Sequence, residues 1–304
     1  MPILLEEDLR RPLPKMYRVR QQFDETCLTD IEGTVRRELA KSEICALVKP
    51  GMRVAVGVGS RGIQNLSCIV ETTVKGLKEL GAKPFIVSAM GSHGGGTEEG
   101  QREVLAGYGV TEERLGVPVV TTVDTVHLGD CANGRPVWFD RAAYEADLIV
   151  PINRVKLHTD FVGPIQSGLC KMLVIGLGNH KGCSAVHEEA PEVFADVIEE
   201  TARLILKKAP IGFGIAILEN AYDKTYAVEA VPAEGLIERE KELVQIARGN
   251  MPYIMLDEAD VIVCDEIGKD ISGAGFDPNI LGRSSVLKKF VLHIPKYQRL
   301  VLLD

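Results

Sequence analysis

Histidine and lysine side chains are concentrated in one segment, Pro151–His187, which holds three of the six histidines of the chain. Four basic residues accompany them, and Asp160 is the only acidic residue of the segment, although the whole chain carries a formal net charge of -8. This composition predicts an anion site, and its glycines would let the backbone approach the ligand closely. The alternative is a solvated, glycine-rich connection. The histidines are His158, His180 and His187, and the basic residues are Arg154, Lys156, Lys171 and Lys181.

A histidine also stands in an earlier glycine-rich loop, AMGSHGGGTEEGQ, where His93 follows Ser92. An open backbone around a histidine favours a general acid or base over a space-filling role, because the ring must reach a substrate. His158 has similar surroundings. Two histidines from two loops could face opposite sides of one substrate, which is the arrangement that a racemase requires.

The loop GVGSRG contains a GxGxxG pattern in Gly57, Gly59 and Gly62. A dinucleotide site would also need an acidic residue at the end of the second strand, where this chain has Ser88 and Met90. Arg61 could hold a phosphate or a carboxylate, or pair with an acid at the surface. A nicotinamide-dependent 2-hydroxyacid oxidoreductase therefore stays open as an alternative, as does a non-enzymatic protein that binds an anionic nucleotide.

Composition limits the class of protein. With 304 residues, of which 45% are hydrophobic, the chain can bury a full core. A pI near 5.4 argues against a nucleic-acid surface and favours a small-molecule ligand. No apolar run reaches the roughly 18 residues of a membrane span, and the N-terminus lacks the features of a signal peptide, so we expect a cytoplasmic protein without membrane contact. The seven cysteines are scattered, which is atypical of a disulfide framework or a zinc ribbon.

Hydrophobic periodicity predicts alternating strands and helices. This order is typical of an α/β fold with a mostly parallel, Rossmann-like sheet and helices on both faces. We expect residues 1–250 to form an N-terminal catalytic and cofactor-binding domain, and residues 251–304 to begin a second, smaller α/β domain that is truncated. The predicted strands are 53–57, 84–90, 147–152, 211–219, 226–231, 260–265 and 296–304, and the predicted helices are 65–80, 97–107, 191–208 and 233–248.

Ligands of such sheets bind beyond the carboxyl ends of the strands. Three glycine-rich loops directly follow predicted strands, so we expect them to meet at one edge. They are 57–63, 89–96 and 153–168.

The chain resembles the nickel-dependent lactate racemase family, and within it the wider group of 2-hydroxyacid racemases and epimerases. The motifs GVGSRGI, AMGSHGGGTEEGQ, NRVKLHTDF, SGLCKMLVIGLG and GCSAVH carry the resemblance, in this order and over most of the chain. It implies an isomerase that moves a hydride to and from a nickel-pincer nucleotide (pyridinium-3-thioamide-5-thiocarboxylic acid mononucleotide). It also implies cofactor-biosynthesis and nickel-insertion proteins as partners.

Family roles transfer to individual residues of this chain. Lys171 matches the lysine that tethers the cofactor, and His187 matches the nickel ligand, since their separation of 187 − 171 = 16 residues agrees with the family spacing. His93 and His158 match the acid/base pair.

The resemblance also covers anion-binding positions. It implies that Arg61, together with Gly59 and Ser60, binds anionic groups of the cofactor or substrate, and that Lys269 in DEIGKDISG does so too. The lactate racemase pattern Asp-His-Thr-Arg is replaced here by Val-Gly-Ser-Arg, ending at Arg61. Because this change lies where the substrate would bind, the resemblance does not identify which 2-hydroxy acid is the substrate.

Overall fold

A computed structural model of the protein describes residues 5–12, 15–60, 62–268, 271–273, 275–284, 286 and 295–303. Its strands are β1 Arg53–Val58, β2 Lys83–Ser88, β3 Val119–Val120, β4 Thr125–Asp130, β5 Pro136–Asp140, β6 Leu148–Arg154, β7 Phe213–Glu219, β8 Thr225–Pro232, β9 Glu258–Cys264 and β10 Lys296–Leu302.

The α-helices of the described residues follow the same alternation, with a π-helical turn at Met172–Gly176 and short 3₁₀ turns at Gly94–Gly96 and Pro191–Val193. They are α1 Glu6–Leu9, α2 Ile31–Leu39, α3 Ser42–Cys45, α4 Leu66–Glu79, α5 Glu98–Gly107, α6 Glu112–Leu115, α7 Arg141–Tyr144, α8 Leu169–Lys171, α9 Asn179–His187, α10 Phe194–Lys208, α11 Leu236–Gly249 and α12 Pro278–Leu281.

The main sheet has six strands in the order β3-β2-β1-β6-β7-β8. All neighbouring pairs are parallel except β7 and β8, which are antiparallel at one edge. Alternate side chains of each strand enter two separate cores, because successive residues of a strand point to opposite faces. Val54 and Val56 pack with α2 and α4, whereas Ala55 belongs to the core that contains α10 and α11. The predicted α/β class, with helices on both faces of a mostly parallel sheet, is confirmed.

Two further sheets have two strands each. The hairpin of β4 and β5 was not predicted: β4 alternates only over Thr-Val-His-Leu before Gly129, and the residues of β5, Pro-Val-Trp-Phe-Asp, do not alternate. β9 and β10 pair in parallel, with Lys296 beside Glu258 and Leu302 beside Cys264. This sheet lies in the region where the sequence predicts the start of a second domain.

The segment after β6 differs from the sequence prediction. The residues Asn-His-Lys-Gly at Asn179–Gly182 are typical of a turn, but in the structure they are the beginning of α9. Two glycines allow close packing here: a Cβ atom on Gly182 would lie 3.1 Å from the Trp138 carbonyl oxygen, and one on Gly178, the residue before this run, would lie 2.4 Å from that of Val174. The pattern was misread because glycines selected for close contact look like turn residues in the sequence.

Glu240 on α11 fixes the beginning of α8, the short helix that ends at Lys171. The backbone N–H of Cys170 donates to Glu240 Oε2 at 2.8 Å. A Cβ atom on Gly168 would lie 2.5 Å from the Glu240 carboxyl carbon, so only glycine leaves room for this carboxyl group. Burial raises the pKa of Glu240 to about 7, although the amides of Cys170 and Leu169 oppose the shift.

This shift predicts a pH-dependent stability. Between pH 4.5 and about 7 the folded chain holds a proton on Glu240 that the unfolded chain has lost, so the stabilisation from this group declines as pH rises through that window. Glu240→Gln removes this titration. We expect the free energy of unfolding of the parent, relative to the variant, to fall by at most about 3 kcal/mol across the window. Urea unfolding of both proteins at pH 4.5 and pH 7.5 measures it.

Other titrating groups are present in both proteins, so their contributions to the free energy of unfolding cancel in the difference. One of them is Asp140, whose pKa is raised to about 6 by burial. An identical pH dependence of the two proteins would show that Glu240 titrates normally.

Candidate active site

A cavity of about 760 Å³ opens at the carboxyl ends of β1, β2 and β6. Its volume is within the range of small-molecule sites. The three glycine-rich loops line it together, as the fold predicts. The predicted residues among its lining are Gly59, Ser60, His93, His158, Lys171, His180 and His187.

Strand register brings these loops together. Val58, the last residue of β1, lies beside Ser88 on one neighbour and Ile152 on the other. Because the strands are parallel and end at nearly the same level, the segments that follow them start from the same edge.

Two predicted anion-binding residues, Arg61 and Lys269, lie outside the described residues. Ile271, Ser272 and Gly273, from the same DEIGKDISG segment as Lys269, do line the cavity. These three residues therefore contribute to the site.

Ser60, from the loop 57–63, and the glycines that follow His93 in its own loop position the His93 side chain. Its Nδ1 atom forms a short hydrogen bond with Ser60 Oγ. The next three residues, Gly94–Gly96, have φ values of 64°, 69° and 67°, in the left-handed region that favours glycine. The loop can therefore turn sharply while the His93 ring stays exposed at the cavity.

Gln101 on α5 holds the His93 loop in place through two buried hydrogen bonds. It accepts a hydrogen bond from Ser88 Oγ at 2.6 Å and donates to the Gly91 carbonyl oxygen at 3.1 Å. Gln101 is fully buried. Sequence analysis did not identify this support.

His158 and Lys171 are in direct contact. Lys171 Nζ lies 2.6 Å from His158 Nε2, and the backbone N–H of Asp160 donates to His158 Nδ1 at 3.0 Å. The imidazole stacks on Phe161, with ring centroids 4.2 Å apart and planes at 27°. Both ring nitrogens and one ring face of His158 are therefore positioned by the protein.

His187 lies at the end of α9 and is exposed to the cavity. Its Nδ1 atom is 2.7 Å from the carbonyl oxygen of Cys183. A carbonyl oxygen only accepts, so Nδ1 carries the proton and Nε2 keeps its lone pair. This is the tautomer that metal-binding histidines usually adopt.

Cys183 adds a feature that sequence analysis missed. Its Sγ atom lies 3.4 Å from His187 Nδ1, and their i,i+4 spacing on a helix was the available signal. Burial disfavours the Cys183 thiolate, but hydrogen bonds and charge from His187, with help from Ser92, outweigh it and lower the thiol pKa. Mainly through the hydrogen bond with Cys183, the pKa of His187 is raised.

Two of the four basic residues of the segment Pro151–His187 have other partners and do not simply add positive charge to the cavity. Arg154 forms a close ion pair with Glu219. Lys181 lies 3.3 Å from the centre of the Trp138 ring and does not line the cavity. Arg154, Lys156 and Lys171 do line it.

Within the described ranges, no three His, Cys, Asp or Glu side chains are close enough to hold a metal ion. His187 and Lys171 line the same cavity, so a metal bound there by His187 Nε2 would need further donor atoms from a bound group. None of the described helices is long and apolar enough to cross a membrane.

Comparison with known proteins identifies the family. The model of the lactate racemase N-terminal domain matches residues 13–195, more than half of the chain, and this range contains His93, His158, Lys171 and His187. A comparison with curated proteins finds no match.

Among solved structures, the chain is similar to the lactate racemase apoprotein from Thermoanaerobacterium thermosaccharolyticum, with a TM-score of 0.57 and 15% sequence identity. The match covers 79% of this chain and 60% of that chain, so this chain spans about three fifths of its relative. At this identity the likeness concerns the fold. The family model and the shared fold confirm the resemblance seen in the sequence, and the chain belongs to the lactate racemase family.

Proposed function

We propose that the protein is a racemase or epimerase of a 2-hydroxy acid, working by hydride transfer to and from a nickel-pincer nucleotide tethered to Lys171. The observation that carries this proposal is the convergence of His93, His158, Lys171 and His187 on one cavity from separate elements. A nicotinamide-dependent oxidoreductase would not explain Lys171 together with His187, and a non-enzymatic protein that binds an anionic nucleotide would have no use for the two histidines His93 and His158.

The chain's own residues account for binding. Lys171 Nζ would form the covalent link, and His187 Nε2 would bind nickel, which suits an imidazole ligand. Gly59 and Ser60 lie at the cavity wall, where they would contact the group. From the family resemblance we also propose Arg61 and Lys269 as residues that hold anionic groups, and cofactor-biosynthesis and nickel-insertion proteins as partners.

Two histidines suit the chemistry of the substrate. The α-hydrogen of a 2-hydroxy acid is scarcely acidic, because the neighbouring carboxylate is already anionic, so removal of a hydride is easier than removal of a proton. One histidine takes the hydroxyl proton as the hydride leaves, and the planar keto acid can then regain hydride on its other face. His93 and His158 would each serve one enantiomer. Ser60 orients the ring of His93 for this role.

Attachment at Lys171 can be measured directly. When the chain is coexpressed with the cofactor-biosynthesis proteins, we expect the parent to gain an adduct mass and nickel, and Lys171→Ala to gain neither. Lys181→Ala is the matched control, because it removes a lysine of the same segment that lies outside the cavity lining. Intact-mass spectrometry and metal analysis provide the readouts. A parent that acquires neither adduct nor nickel would refute the proposal.

The acid/base pair predicts losses of activity. His93→Ala and His158→Ala should each slow interconversion of the enantiomers by at least about 100-fold, because each removes a proton-transfer group. Chiral chromatography of a panel of 2-hydroxy acids measures the rate, which is divided by the nickel content of each preparation.

His127→Ala serves as the control, since His127 pairs with Asp130 and does not line the cavity. Thermal unfolding checks that every variant stays folded. Full racemisation by nickel-loaded His93→Ala and His158→Ala proteins would rule out these residues as the pair.

A further inference from the structure

The helical segment between Lys171 and His187 is bent, and the bend decides how close these two residues lie. In one straight α-helix, a rise of about 1.5 Å per residue would place their Cα atoms about 24 Å apart. Two side chains with one pyridinium group between them could not bridge that length. Lys171 and His187 nevertheless line one cavity. The bend therefore brings the proposed tether and the proposed metal ligand together.

The bend lies between the π-helical turn at Met172–Gly176 and α9, which begins at Asn179. Contacts of Gly91 show how sharp it is. A Cβ atom on Gly91 would lie 3.0 Å from the carbonyl oxygen of Ile175 and 3.5 Å from the Cβ atom of Cys183. In a straight helix these two residues would be about 12 Å apart along the axis. The π-helical turn and α9 therefore fold toward each other around Gly91.

Asn179 has the backbone conformation that produces this bend. Its φ of 51° is in the left-handed region, whereas Leu177 and Gly178 before it have φ values of -80° and -73°. A continuous α-helix would need a negative φ at Asn179 as well. Asparagine adopts the left-handed conformation more readily than most residues with a side chain. The change in the sign of φ at Asn179 therefore ends one helical direction and starts another.

Asp140, the last residue of β5, holds both sides of the bend. Its backbone N–H donates to the carbonyl oxygen of Leu177 at 2.6 Å, and its Oδ2 atom accepts from Asn179 Nδ2 at 2.8 Å. Asp140 and Asn179 are both buried. The Asp140 carboxyl group is itself fixed, because its Oδ1 atom accepts from the backbone N–H of Ala143 at 2.8 Å. The end of β5 therefore supports the residue at which the chain bends.

The side chain of Asn179 serves the bend and not a ligand. Asn179 is not among the described residues that line the cavity, and its Oδ1 atom has no hydrogen-bond partner in the described part of the chain. A buried oxygen without a partner costs free energy, which an apolar side chain would avoid. Asn179 offsets this cost with a donor for Asp140 and with its tolerance of a positive φ.

We propose that Asn179 is a positioning residue: held by Asp140, it sets the distance between Lys171 and His187, so that one bound group reaches both. This inference rests on the proposed function, in which Lys171 is the tether and His187 is the nickel ligand. Lys171 precedes the bend and His187 follows it. A change at Asn179 therefore displaces His187 relative to Lys171 and leaves both side chains intact.

Protein coexpressed with the cofactor-biosynthesis proteins tests the inference through two separate readouts. Intact-mass spectrometry gives the adduct on Lys171, and metal analysis gives the nickel that remains over time in excess EDTA. We expect Asn179→Ala to gain the adduct as the parent does but to lose nickel at least about tenfold faster, since a left-handed backbone is costly for alanine. A general loss of folding would instead reduce both readouts.

Two further variants separate the bend from other effects of substitution. Asn179→Gly accepts a positive φ but lacks the amide group, so it should lose nickel faster than the parent and more slowly than Asn179→Ala. Asn65→Ala is the matched control. Asn65 is another left-handed asparagine at the start of a helix, with a φ of 61°, and its side chain donates to Thr225 at 3.0 Å. Asn65→Ala should lose nickel at the parent rate.

A double variant shows whether Asn179 acts through His187. His187→Ala removes the proposed nickel ligand itself. If Asn179 only positions that ligand, adding Asn179→Ala to His187→Ala should not accelerate nickel loss further. Independent effects of the two substitutions would multiply.

Hydrogen exchange of the cofactor-free chain measures the bend without nickel. We expect the amides of α9 to exchange at least about tenfold faster in Asn179→Ala than in the parent, because the bend is no longer held. The amides of β7 should exchange at the parent rate. The same comparison with Asn179→Gly applies if Asn179→Ala does not fold, with a smaller increase in α9.

Nickel loss at the parent rate from adduct-bearing Asn179→Ala and Asn179→Gly overturns the inference without contradicting the proposed function. Multiplied effects in the double variant also overturn it. If the parent gains no adduct, the proposed function is refuted and hydrogen exchange alone decides the role of Asn179. Faster exchange confined to α9 then supports that role, and unchanged exchange refutes it.

Discussion

The parallel alignment of β2, β1 and β6 is the constraint on which the candidate site depends. These strands end at nearly the same level, so three loops separated by long stretches of sequence begin at one edge of the sheet. The two cores on either side of the sheet keep this alignment, because alternate residues of each strand are buried in both. A cavity bounded by His93 from one loop and His158 from another follows from that arrangement.

Close backbone contacts connect the loops to the helical segment that carries Lys171. A Cβ atom on Gly176 would lie 2.6 Å from the Ala89 carbonyl oxygen, and one on Gly59 would lie 3.0 Å from Met172 Cε. The glycines therefore allow the π-helical turn to pack against the ends of β1 and β2. Glu240 fixes the other end of the segment through the amide of Cys170. Lys171 and His187 thus occupy positions determined by both the sheet and α11.

Local patterns predicted five of the six strands of the main sheet, the four longest helices of the described residues and the loops that bear histidines, because periodicity and glycine clusters are properties of neighbouring residues. Features that depend on distant partners were not predictable. The pairing of Arg154 with Glu219 and the burial of Glu240 against α8 join residues far apart in the chain and leave no local pattern. The sequence of Asn179–Gly182 is typical of a turn but forms the start of α9, because Gly182 serves close packing against Trp138. The contact of Cys183 with His187 had a local signal in its helical spacing, and could have been found.

The proposed function requires that the cavity holds a nickel-containing group between Lys171 and His187. A crystal structure of the protein coexpressed with the cofactor-biosynthesis proteins, with anomalous diffraction recorded at the nickel edge, tests it most directly. We expect one anomalous peak within bonding distance of His187 Nε2 and continuous electron density from Lys171 Nζ into the bound group. An anomalous peak bound elsewhere, or a Lys171 side chain that ends at a free amine in the nickel-loaded protein, would contradict it.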